Sequence, residues 1–198
     1  MAKPSWCTLA PDYGSGNGTV NVNASEHTGR TSRSGAITFK ATGVLDATVS
    51  VTQTAKTEFV EINNVSAPKS GGTITVTGKS NSAKLTFSLG LGDLDISLPA
   101  TYSAGGIATN NGVAIAGDPG ATAEYNFSVS INVPENTTVT AQTKAVTVTA
   151  NGGQSNSATI TQSAGDPTLS VAPTSITLDA DGTPDTVNVT SNTNWTVE

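Results

Sequence analysis

Ala47-Thr-Val-Ser-Val-Thr-Gln-Thr-Ala55 returns later in the chain as Ala158-Thr-Ile-Thr-Gln-Ser-Ala164. Both runs alternate apolar residues with Thr or Ser and close on Thr-Gln, the period-two pattern of a half-buried strand. Ahead of them, Ser34-Gly-Ala-Ile-Thr-Phe-Lys-Ala-Thr-Gly43 returns as Thr143-Lys-Ala-Val-Thr-Val-Thr-Ala-Asn-Gly152. Segments that recur with their neighbours in order mark a repeated structural unit. A second repeat links Gly72-Thr-Ile-Thr-Val-Thr-Gly-Lys-Ser-Asn81 to Thr186-Val-Asn-Val-Thr-Ser-Asn192, and after it Leu85 and Phe87 take the places of Trp195 and Val197. The two repeats alternate along the chain. They divide it into the back part of one domain (1–56), a whole domain (57–165) and the front part of a third (166–198).

Outward from these runs the same alternation continues. It is read at Val20/Val22, Ile37/Phe39, Ile74/Val76, Ile96/Leu98, Phe127/Val129/Ile131/Val133, Val187/Val189 and Trp195/Val197. Turn formers separate the runs: Gly14 to Gly18, Ser70-Gly-Gly72, Asn110-Asn-Gly112, Gly117 to Gly120, Asn151-Gly-Gly153 and Asp181-Gly182. No helical stripe of useful length occurs. Many short strands spaced by turns predict an all-β protein of antiparallel sandwiches in tandem.

The composition excludes several functions. With a net charge of −6, the chain offers no basic surface for nucleic acid. No stretch approaches the roughly 20 apolar residues of a membrane helix. The N-terminus lacks the apolar core of a secretory signal, so the chain is expected to be made and kept in a cytoplasm. One cysteine excludes an internal disulfide.

No catalytic set assembles. The one histidine, His27, lies in Ser25-Glu-His-Thr-Gly29 and reads as an exposed turn residue. Cys7 stands beside Trp6 without a base to activate it, and reads as a structural thiol. Asp179-Ala-Asp-Gly-Thr-Pro-Asp185 lacks the full ligand spacing of a calcium loop and reads as a turn. Glu58 and Glu61 flank a linker where no cleft is expected. No catalytic residue, cofactor or metal is therefore assigned. Among the aromatics, Trp195 keeps phase with Val197 and is expected in a core. Tyr13 and Tyr102 read as exposed platforms, and with Trp6 they are the residues expected to meet a glycan or a partner.

The two ends carry the motifs of a known family. Trp6 leads through Pro11, Gly14, Gly16, Asn17 and Gly18 to Thr19. Arg33, Gly35 and Ile37 precede a strand closing on Thr52-Gln53, and Ser191-Asn-Thr-Asn-Trp195-Thr-Val opens the last segment. This pattern resembles the BACON family, immunoglobulin-like β-sandwich modules of Bacteroidetes and their phages. The middle domain resembles it only in its closing strands, and 99–124 departs from it. The resemblance implies immunoglobulin-like sandwiches, the fold class being tandem BACON-like modules, and a binding role that includes carbohydrate.

The end segments are too small to bury adequate cores alone, and their open edges invite pairing. Residues 166–198 of one copy are therefore expected to complement 1–56 of a neighbour, the alternative being that the natural chain continues past Glu198 and completes the last domain itself. The first expected partner contact is 1–24 and the second 186–198. A resemblance to BACON modules without a secretion signal implies a structural protein of a tailed-phage virion, an auxiliary capsid or head-fibre component. Its expected partners are capsid or fibre subunits, further copies of itself and, more weakly, host glycans. The alternative is a carbohydrate-binding accessory module of a bacterial surface polysaccharide-degrading system.

Overall fold

The computed structural model describes residues 3–198 and is almost entirely β. Met1 and Ala2, the start of the expected contact segment 1–24, lie outside the described residues. Residues 3–56 form two hairpins, β1 (Cys7–Ala10) with β2 (Asn21–Ala24) and β3 (Arg33–Phe39) with β4 (Ala47–Gln53). Their buried apolar side chains are Cys7 and Ile37.

The central segment is a sandwich of two packed sheets. Its strands are β5 (Val60–Ile62), β6 (Val65–Ala67), β7 (Gly72–Ser80), β8 (Leu85–Leu89), β9 (Thr101–Ala104), β10 (Ile107–Asn110), β11 (Tyr125–Val133), β12 (Gln142–Ala150) and β13 (Ser155–Gln162). One sheet runs β10-β9-β11-β7-β5, the other β6-β13-β12-β8. All pairs are antiparallel except β13 with β6. Along β7 and β11 every second residue is buried, as the period-two pattern dictates. Val76, Phe127, Val129 and Ile131 from the first sheet meet Leu85, Phe87, Val146 and Ile160 from the second in one core. Gly78 serves this packing: a Cβ there would strike the Phe127 ring and the Glu61 carbonyl. A last hairpin joins β14 (Leu169–Ala172) to β15 (Asn188–Ser191), and residues 166–198 bury no side chain fully.

The repeats are geometric as well as sequential. When the numbering is shifted to lay Gln53 on Gln162, Arg33 falls on Gln142. The ladders then agree, with Arg33 opposite Gln53 and Gln142 opposite Gln162. The side-chain amide of Gln53 donates to the Ser25 carbonyl at 2.9 Å, and that of Gln162 to the equivalent Pro134 carbonyl at 2.6 Å. His27 Nε2 sits 2.6 Å from the Thr31 carbonyl, where Asn136 Nδ2 donates to the Thr140 carbonyl at 2.8 Å. The opening strands agree too: Val60 lies opposite Ser80 as Leu169 lies opposite Ser191.

Four expectations are corrected. His27 is buried, because its ring fills the turn and bonds Thr31. Ile96/Leu98 belong to no strand; Leu94 and Ile96 are buried from an irregular segment held by Leu94 N–H to the Thr143 carbonyl. Trp195 is 49% exposed and lies outside any strand, since no second sheet covers it here. Tyr102 is 4% exposed and cannot be a platform: its ring packs 4.9 Å from Phe87 and its hydroxyl accepts the Leu85 N–H.

Candidate functional site

Two junctions connect the three segments, and they are built alike. At the first, Asn81 follows β7 and is fully buried. Its Oδ1 accepts the Phe59 N–H at 3.0 Å, while its Nδ2 donates to the Thr28 and Thr57 carbonyls at 3.0 and 3.3 Å. One side chain thus ties strand, linker and preceding segment together. At the second, Asn192 follows β15. Its Oδ1 accepts the Thr168 N–H at 2.8 Å, and its Nδ2 donates to the Thr137 and Asp166 carbonyls at 2.9 and 2.8 Å. Ser80 Oγ donates to the Phe59 carbonyl as Ser191 Oγ donates to that of Thr168. The linkers close identically, Lys56 N–H on the Gly29 carbonyl and Gly165 N–H on the Thr138 carbonyl.

The first junction has an additional seam. Arg30 and Thr31 N–H donate to the Gly120 and Ala121 carbonyls, in the 3-10 turn Pro119–Ala121. The Arg30 guanidinium reaches Asp118 and the Asn81 carbonyl. Gly29 must lack a side chain, since a Cβ would run into the Thr122 backbone.

The junctions lie at opposite ends of β7. Ser80 and Asn81 hold the first, whereas Gly71, at the other end, packs against Val133 and Pro134 near the Lys69–Asp166 ion pair of the second. Nine extended residues separate them, roughly 30 Å. The N- and C-terminal segments therefore sit at opposite poles of the central sandwich.

Both end segments expose apolar rows. In the first, Val22 and Val49 are exposed and Val20, Phe39 and Val51 are half-buried. Under the shift above these positions correspond to Ile131, Ala158, Val129, Val148 and Ile160, all buried in the central core. In the last segment Leu169, Val187, Trp195 and Val197 are exposed, where Val60, Val76, Leu85 and Phe87 are buried centrally. An open cavity of about 500 Å³ lies between the Gly-rich turn and β3, lined by Pro11, Tyr13, Gly18, Val20, Phe39 and Lys40. Since Val20 and Phe39 are core positions by equivalence, this cavity is the uncovered interior of the segment. Exposed apolar rows of this kind mark interaction surfaces.

The candidate residues fall as follows. Tyr13 is 86% exposed on the rim of that cavity. Trp6 is half-buried, its carbonyl accepting the Ser25 N–H while Arg33 stacks on its ring at 4.9 Å. Tyr102 lies in the central core, so the three candidates form no single site. Cys7 is fully buried. Glu61 pairs along the ladder with Lys79, and Glu58 turns instead toward Gly152, so they make no catalytic couple. Asp181 accepts from Thr183 N–H and Oγ1, which holds its carboxyl below the usual range. Among the described residues no group of three or more His, Cys, Asp or Glu is placed to hold a metal, and no helix is long and apolar enough to cross a membrane. The junction asparagines escaped the sequence reading, although both close the second repeat as Ser-Asn.

A two-hairpin segment with a solvent-open apolar interior has the character of a binding module. Residues 1–54 match the BACON family, described as "Putative binding domain, N-terminal". That description names a binding domain, not a catalytic one. No curated protein matches the chain.

Proposed function

We propose that this chain is a non-enzymatic assembly protein, and specifically a structural component of a tailed-phage virion, an auxiliary capsid or head-fibre protein. The observation that carries the assembly reading is the pair of apolar rows, one at each pole of the central sandwich, in positions whose central equivalents are core. Such rows are satisfied by strand addition from another polypeptide. Clamped junctions suit a spacer that adds surface to a particle. The charge-poor, Thr-rich strands add that surface without charge-driven binding. The partners on this reading are other virion proteins and further copies of the chain, in a virion assembled within a host cytoplasm.

Antibodies against the chain test this directly. Gold label on the heads or fibres of purified tailed particles, with the protein present at many copies per particle, is the expected result. Protein confined to a cell-envelope fraction overturns it. A second reading, carbohydrate binding, is favoured by Tyr13, whose exposed ring borders the cavity of the BACON-matching segment. It predicts saturable glycan-array binding that is lost in Tyr13→Ala.

A further inference from the structure

We infer that the two end segments are complementary halves of one sandwich, and that β15 of one copy pairs antiparallel with the stretch leading into β2 of another, Val187 opposite Val20. This deepens the assembly reading and rests on it: the partner becomes a second copy, and the register becomes fixed.

The register comes from the central sandwich. There β11 and β7 pair with Phe127 opposite Gly78, Ser128 opposite Thr77 and Val129 opposite Val76. The back-half repeat carries Phe127, Ser128 and Val129 onto Gly18, Thr19 and Val20. The front-half repeat carries Gly78, Thr77 and Val76 onto Val189, Asn188 and Val187. Two things then agree without adjustment. Val20 meets Val187, the same pair as in the central core. At the next inward position the bulky and the absent side chains have exchanged strands: Phe127 over Gly78 becomes Gly18 under Val189. A gap on one strand is matched by volume on the other, as close packing requires.

The remaining apolar positions follow. Val148 lies opposite Phe87 in the central ladder, which places Phe39 against Val197. The cavity lined by Val20 and Phe39 is thus the space that Val187 and Val197 fill. A single chain cannot make this contact with itself, because the two segments stand at opposite poles, roughly 30 Å apart across the nine residues of β7, with linkers clamped by Asn81 and Asn192. The occupant is a second copy. Joining is head-to-tail, so copies close into a ring or extend as a filament.

Thr19 and Asn188 are exposed here and face each other in the inferred ladder. Antiparallel neighbours have Cα separations of about 4.5–5.5 Å, within disulfide reach. A Thr19→Cys chain is mixed with an Asn188→Cys chain under mild oxidation, and wild-type protein is weighed by native mass spectrometry across concentrations. The inference expects a mapped disulfide joining position 19 of one chain to position 188 of another, and wild-type masses at multiples of the monomer. It is overturned if that disulfide forms no better than with the off-register variant Thr183→Cys, or if wild type stays monomeric throughout. A chain found in virions but without this cross-link sinks the register and spares the assembly role. A cross-linking chain absent from virions does the reverse.

Discussion

Asn81 holds Phe59 by its backbone N–H at 3.0 Å, and through that bond fixes where the N-terminal segment stands on the central sandwich. The same side chain donates to the Thr28 and Thr57 carbonyls. Asn81→Ala leaves these part-buried groups without their partner, at about 2 kcal/mol in all because water reaches some of them. For a sandwich of this size that lowers the melting temperature by roughly 10 °C. Asn192→Ala breaks the equivalent bonds at a half-exposed site, and is expected to leave the main thermal transition in place while loosening 166–198 to protease. Calorimetry with limited proteolysis separates the two. Equal losses at both positions would mean that the junctions do not differ in burial as described.

Gly29 and Thr122 approach so closely that no side chain fits between them. Gly29→Val is expected to lift the N-terminal segment off the 3-10 turn, breaking the Arg30 and Thr31 bonds to Gly120 and Ala121. Amide exchange should then rise at residues 28–31 and 118–124 while β11–β13 keep their protection. Arg30→Ala is milder, since its ion pair with Asp118 is half-exposed and worth at most about 1 kcal/mol. Exchange rates at 118–124 unchanged in Gly29→Val would show that this contact does not seat the segment.

Tyr102 and Tyr125 give the central core a pH signature. Burial pushes both phenols above their ordinary range, Tyr125 the more strongly. A raised folded pKa means that the unfolded chain loses these protons first as pH rises. Stability is therefore complete below pH about 10 and declines above it. Phenolate absorbance should lag that of the denatured protein, then rise together with loss of structure. Tyr102→Phe also strands the Leu85 N–H. An absorbance titration of native protein that overlays the denatured one would place both rings in water.

How much of this was legible in the sequence depends on whether a pattern carries its own partner. β7, β11, β12 and β13 alternate cleanly and find their partners within the central segment, β7 on β11 and β12 on β13, so the runs read from them became ladders. The hairpin β9–β10 has few apolar residues and went unread, although Gly105-Gly106, both at positive φ, was its signal. Ile96 alternates like a strand residue, but its segment is fixed by Asp93 accepting the Thr143 N–H rather than by a ladder. Phase alone places Trp195 in a core. Phase reports which residues seek burial, not whether a covering sheet is present, and here none is. The turn around His27 suggests exposure, yet a turn residue is buried when its own ring closes the turn, as His27 does on the Thr31 carbonyl. The Tyr13 rim follows from the Gly-rich turn, whereas burial of Tyr102 required the packing of Phe87 to be seen.

The open rows provide the last prediction, which separates assembly from folding. Val187 is exposed and lies in the last segment, outside the central core, so Val187→Asp leaves the central thermal transition unchanged. In an assembled state the same carboxylate would face Val20 in an apolar interior, where an unpaired charge costs several kcal/mol. A difference of about 3 kcal/mol is more than a hundredfold in association, so the variant is expected to be monomeric at concentrations where wild type associates. Val20→Lys does the same from the other side. Mixing the two variants leaves one joint intact, Val187 of the Val20→Lys chain on Val20 of the Val187→Asp chain, and should restore mixed pairs that grow no further, while either variant alone stays apart. Sedimentation velocity on the single variants and on the mixture reads all three outcomes. Association of Val187→Asp at wild-type strength would show that Val187 is not at the joint.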